Sequence, residues 1–122
     1  MALHKSIAFI TILIISLVSC NKEVNLSNNV KIIGTWISTD KSDTLDFVNG
    51  SEFYKSAIGF RNDHYKYHLD NDSIQIDYAG IRMPATVRTT HKYNLNGNNL
   101  TIDFTNKGCF GFEMNVMEYI KK

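Results

Sequence analysis

An apolar alternation with period two runs through most of the chain after Ile33, and it restricts the fold more than any other feature. Ile74, Ile76 and Tyr78 alternate with Ser73, Gln75 and Asp77. Leu100, Ile102 and Phe104 alternate with Thr101, Asp103 and Thr105, and Tyr65, Tyr67 and Leu69 with His64, Lys66 and His68. Successive side chains of a strand point to opposite faces, so this pattern makes sheets with one buried and one wet face. No helical stripe of comparable clarity follows the N-terminal segment. The expected class is all-β.

Eight strands are predicted, at 33–38, 43–48, 51–55, 64–69, 73–78, 86–95, 99–104 and 112–120. Asn49-Gly50 is the favoured pair for a two-residue type I′ hairpin. Asp70-Asn71-Asp72 and Asn96-Gly97-Asn98 are rich in residues that tolerate positive φ. Two segments repeat: Tyr67 to Tyr78 and Tyr93 to Phe104 both read Tyr-x-Leu, a polar turn, then apolar-x-Ile-Asp-aromatic. Each is expected to be one hairpin with the same inward registry.

The connections are unequal. Odd-numbered ones are long (Thr39 to Ser42, Ser56 to Asp63, Ala79 to Ala85, Thr105 to Gly111), and even-numbered ones are tight turns. In an up-and-down meander the two sets lie at opposite ends. Eight short antiparallel strands with that asymmetry fit an eight-stranded up-and-down barrel, sealed at one end and dressed with loops at the other. The chain enters at the sealed end.

Residues 1–19 read as a signal peptide: His4 and Lys5 precede the apolar run Ser6 to Val18, which is shorter than the roughly 20 residues a bilayer core requires. Leu17-Val18-Ser19-Cys20 resembles a lipobox, where bacteria attach diacylglycerol to the cysteine and cleave before it. That resemblance implies lipid attachment at Cys20, membrane association through the lipid, and residence in the bacterial cell envelope as an outer membrane lipoprotein. Residues 20–31 are polar and Asn-rich, and read as a tether; 32–122 is then the barrel domain. Without residues 1–19 the chain carries twelve Lys plus Arg against twelve Asp plus Glu. This neutrality argues against nucleic acid as a partner. With Cys20 taken by lipid, Cys109 has no disulfide partner and reads as a small buried apolar residue.

Gly34-Thr35-Trp36 on the first strand matches the Gly-x-Trp that opens lipocalin-like barrels. Leu45-Asp46-Phe47 before Asn49-Gly50, and Tyr93-Asn94-Leu95 before Asn98-Asn99-Leu100, extend the match. On these residues the chain resembles the lipocalin-like domain lipoproteins of Bacteroidota over about residues 31–120. The resemblance implies that Trp36 packs across the closed end. The family pattern also sets an arginine of the last strand against that tryptophan, and 112–120 holds none.

Chemistry-bearing residues point to binding rather than catalysis. There is no nucleophile elbow, glycine-rich phosphate loop or Cys-x-x-Cys, and no enzymatic activity or cofactor is expected. His64 and His68 on one strand stand about 13 Å apart at roughly 3.3 Å per residue, too far to share a metal. Asp70-Asn71-Asp72 fails as an EF-hand, with Gln75 and Ile81 where the loop needs Gly and Glu. Val87, Thr89, His91, Tyr93 and Leu95 are expected to share an inward face. Trp36, Tyr65, Tyr67, His91 and Tyr93 are the expected lining of a ligand site, with Phe60, Arg61, Arg82 and Met83 from the long loops around its mouth. A small amphiphilic or hydrophobic ligand is the expected partner of a monomeric barrel. A protein-binding module of inhibitor or immunity type, acting through the long loops, is the alternative.

Replacing Cys20 by Ser should release the protein from membranes or leave its precursor unprocessed. Membrane fractionation checks this, and normal processing with normal membrane retention would overturn the lipid assignment.

Overall fold

The computed structural model describes residues 27–57, 62–83 and 85–122. The expected signal segment, Cys20, and the loop residues Phe60 and Arg61 lie outside them. Eight strands follow in order: β1 Gly34–Ser38, β2 Asp43–Phe47, β3 Glu52–Ala57, β4 Asp63–Leu69, β5 Ser73–Tyr78, β6 Thr89–Asn96, β7 Asn99–Asp103 and β8 Val116–Lys121. Each pairs antiparallel with the next, and β8 returns to β1, giving the closed up-and-down barrel that the alternation predicts. The repeated hairpins share one register: Tyr67 faces Ile76 and Leu69 faces Ile74 in the first, Tyr93 faces Ile102 and Leu95 faces Leu100 in the second.

The apolar half of each alternation fills the barrel. Trp36, Leu45, Phe47, Phe53, Tyr65, Ile74, Ile76, Leu100, Ile102 and Tyr119 are buried. Aromatic rings occupy the centre: Phe53 stacks on Tyr65 at 4.8 Å and tilts against Phe47 at 4.8 Å, and Tyr67 meets Phe47 edge-on at 5.0 Å. Outward positions on the same strands carry Lys66, His68, Thr90, Lys92 and Asn94, all exposed.

The sealed end is stapled from several directions. A helical turn, α1 (Asn28–Lys31), takes up the last four residues of the segment read as tether. Behind it Ile32 is fully buried, and the indole N–H of Trp36 donates to the Ile32 carbonyl at 2.8 Å. Lys121 is the partner of Trp36 across β1 and β8; its Nζ lies 5.5 Å from the Trp36 ring and donates to the Lys31 carbonyl at 3.1 Å. The tyrosines of the repeat act alike. Tyr67 Oη donates to the carbonyl of Asn49, and Tyr93 Oη to that of Asp70, so each reaches the preceding tight turn. Asn28 Nδ2 in turn donates to Tyr93 Oη at 2.9 Å, tying α1 to the floor.

Three local expectations are corrected. Neither Asn49 nor Gly50 takes positive φ, so no type I′ turn forms; Asn49 Oδ1 instead accepts from the Ser51 N–H at 2.9 Å, and Val48 N–H bonds Glu52 O across a longer turn. β6 starts at Thr89 and not at 86, leaving Val87 exposed outside the ladder. β8 starts at Val116 and not at 112, because Gly111, at φ 85°, turns the chain and Phe112 packs on the core instead of joining a strand.

Trp36→Ala should destabilise the domain by about 3–5 kcal/mol, as deletion of a buried aromatic usually does. Urea unfolding measures this, and a loss below about 1 kcal/mol would remove Trp36 from the floor.

Candidate functional site

The long connections gather at the mouth, where three strands bring charge to inward positions. On β2 the inward face runs Phe47, Leu45, Asp43; on β3 Phe53, Lys55, Ala57; on β4 Leu69, Tyr67, Tyr65, Asp63. Each is apolar in the body of the barrel and charged toward the loop end. Pairing sets Lys55 directly opposite Asp63 and Asp43 opposite Ala57. Lys55 and Asp63 are each only 8% exposed, so both need partners.

They have them. Lys55 Nζ is 3.3 Å from Asp43 Oδ1 and lies 5.1 Å from the centre of the Phe112 ring. Asp63 is clasped by Arg82, whose Nε donates to Oδ1 at 3.1 Å while a second guanidinium nitrogen takes Oδ2. Tyr78 Oη adds a third bond to Asp63 Oδ1 at 3.1 Å and accepts from the Arg82 backbone N–H. The guanidinium sits 5.6 Å from the Phe110 ring, and that ring packs on Tyr78 at 4.5 Å.

Above these pairs opens a cleft of about 410 Å³. Its floor is Asp43, Lys55, Ala57, Asp63 and Arg82, and its walls include Asp40, Gly111, Glu113, Asn115 and Met117. Asp40 accepts from Ser38 Oγ at 2.7 Å, Ser42 Oγ at 2.6 Å and the Ser42 N–H at 3.0 Å. The Ser42 bonds lead in holding its carboxyl down at about 2, so it stays ionised. Beneath the cleft the barrel is plugged. Phe112 stacks on Phe104 at 4.4 Å and meets Tyr65 at 5.5 Å, while Tyr65 Oη donates to the Phe110 carbonyl at 2.8 Å. A Cβ at Gly111 would strike that hydroxyl.

The residues expected to line a ligand site are therefore dispersed. Trp36, Tyr67 and Tyr93 seal the floor, and Tyr65 belongs to the aromatic filling; none of these lines the cleft. Burial pushes the Tyr67 hydroxyl up to about 12 and the Tyr65 hydroxyl up as well. His91 is buried between Thr89 Oγ1, 2.7 Å from Nε2, and Asn106 Oδ1, 3.2 Å from Nδ1, with Phe104 at 4.7 Å. It is a core histidine satisfied by its neighbours and does not line the cleft. Of the expected loop residues Arg82 joins the floor, and Met83 is 45% exposed.

Lys55, Asp43 and Asp63 escaped the sequence reading. Their signal was present: each sits two residues from an inward aromatic or leucine on the same strand face. Attention to apolar alternation alone passes over a charged residue that keeps the phase.

Comparison with known proteins finds no matching family model, no matching curated protein and no matching solved structure.

Burial, partly offset by the Asn106 bond, lowers the affinity of His91 for a proton below the ordinary value of 6.5. A base harder to protonate when folded contributes stability above the unfolded value and loses it as pH falls through the window beneath. Urea midpoints of the native protein should drop between pH 7 and pH 5, by more than those of His91→Gln. Equal slopes for the two proteins would assign the acid sensitivity elsewhere.

Proposed function

We propose that this chain is a lipid-anchored, lipocalin-like lipoprotein of the bacterial envelope that holds a small amphiphile at the barrel mouth. The observation that carries the reading is the cleft of about 410 Å³, bordered by charged side chains and set over a filled barrel. Small-molecule sites commonly occupy about 300–1,000 Å³. An apolar ligand sunk deep in the barrel is disfavoured, because Phe112, Tyr65 and Phe53 take that space. An amphiphile fits better, with its head in the cleft and its apolar part along the rim. Ile81 is 97% exposed, Met83 is exposed in the same loop, and Met114 is exposed in the mouth loop between β7 and β8. Apolar side chains at this rim suit the apolar part of an amphiphile.

Two observations support the family and the anchor. Lys121 over Trp36 supplies, one residue past the expected end of the last strand, the cation that the family pattern draws from an arginine. The described chain enters at α1 on the sealed end, so a lipid at Cys20 leaves the mouth pointing away from the membrane. The anchor would hold the protein to the outer membrane by its lipid. Among the described residues no helix is long and apolar enough to cross a membrane.

The filled interior and the same exposed rim also favour a second reading, a protein partner gripped by the loops. Native mass spectrometry of the full chain, extracted from its own membrane in mild detergent, separates the two. A retained small-molecule mass is expected, lost on combining Ile81→Ser with Met83→Ser and kept when Asn71 and Asn98 at the sealed end become Ser. The mouth changes should cost little stability, within about 0.5 kcal/mol each. A captured polypeptide in place of that mass, or a mass lost only with the turn variants, would overturn the proposal.

A further inference from the structure

We infer that the mouth cleft selects a cationic head group, an ammonium or guanidinium on a short apolar chain; this rests on the amphiphile reading above and names the chemistry of its head. Four carboxylates and two cations border the cleft: Asp40, Asp43, Asp63 and Glu113 against Lys55 and Arg82. The two cations are committed. Lys55 neutralises Asp43, and Arg82 clasps Asp63 with two nitrogens, the strong geometry for a guanidinium and a carboxylate.

Asp40 and Glu113 are left with neutral donors. Asp40 is bonded by Ser38 and Ser42, and Glu113 by Asn115 Nδ2 at 3.1 Å; among the described residues neither pairs with a cation. Neutral donors orient a carboxylate without cancelling its charge. Among the described residues the walls of the cleft therefore carry negative charge that no cation pairs, above a floor whose charges are already paired. An anionic head would have to displace Asp43 from the nearly buried Lys55, or Asp63 from Arg82, while passing Asp40 and Glu113. A cationic head meets the free carboxylates and breaks nothing.

A second observation lies under the floor. Tyr119 is buried, and its hydroxyl has no hydrogen-bond partner. It stands two residues along the inward face from Met117, a cleft residue, and the carboxylates that act on it most strongly are Asp43 and Asp40. Buried hydroxyls are ordinarily satisfied. An unpartnered hydroxyl beneath the floor, beside two cleft carboxylates, suits a water that links it to a bound ammonium.

The test uses the full chain in nanodiscs of zwitterionic phosphatidylcholine. Hexylammonium, hexanoate and hexanol have one chain length and differ in head charge. Each is titrated in turn, and the amide shifts of residues lining the cleft are followed. Hexylammonium should move those resonances, weaken as salt is added, and lose about tenfold in affinity in Glu113→Gln and in Asp40→Asn. Glu113 lies in an exposed loop, so its variant stays informative if Asp40→Asn disturbs the turn it bonds. Preference for hexanoate or hexanol would overturn the charge assignment and leave the amphiphile reading standing. Hexylammonium binding unchanged in both variants would also overturn the assignment. If none of the three moves the cleft resonances, both readings fall.

Discussion

The pairing of β1 with β8 is the constraint from which the other features follow. Trp36 faces Lys121, Ile37 faces Ile120 and Ser38 faces Tyr119. Once that ladder forms, the sheet has no edge and its inward face encloses one volume of fixed width. Small barrels fill such a volume with side chains, and here aromatic rings do so from Trp36 at the floor to Phe112 near the mouth. Closure also sorts the connections into two sets. The tight set is pinned by tyrosine hydroxyls and by α1; the long set is free to build a cleft.

On such a scaffold the interior is occupied, and the binding proposed above falls where strands end and loops begin. The inward faces of β2, β3 and β4 become charged at that level, which lets a rigid sheet place Asp43, Lys55 and Asp63 while the loops add Asp40, Arg82 and Glu113. Strand-borne groups, with Arg82 clasped to Asp63, supply a fixed floor, and the other loop-borne groups set the character of the walls. The loops also supply packing: Phe112 serves the core, and Phe110 carries the guanidinium of Arg82.

Much of this was legible in the sequence. Period-two alternation gave the strands, the repeated Tyr-x-Leu hairpins gave two identical registers, and loop parity separated the ends. What eluded it has physical causes. A one-turn helix has no periodicity to detect, and α1 is held by Ile32, Trp36 and Lys121 rather than by a pattern of its own. The starts of β6 and β8 depended on where tertiary packing claims a residue, as with Phe112. Asn49-Gly50 has the composition of a tight hairpin, but Glu52 and Ser51 bond to Asn49 and favour a wider turn. Tyr67, His91 and Tyr93 look like ligand groups because they are polar and inward; protein partners already take their polar atoms.

The chain enters the barrel at Gly34 and leaves it at Lys121 on the same end, where the Lys122 N–H still bonds the Thr35 carbonyl. A pull transmitted from the entry to the exit would therefore load β1 and β8 side by side. It would peel their ladder one rung at a time from the floor upward, rather than shear all rungs together. The first contacts to part would be the bond from Lys122 to Thr35 and then the Trp36 and Lys121 rung. The cleft, at the far end of the same two strands, keeps its shape until the last rung parts.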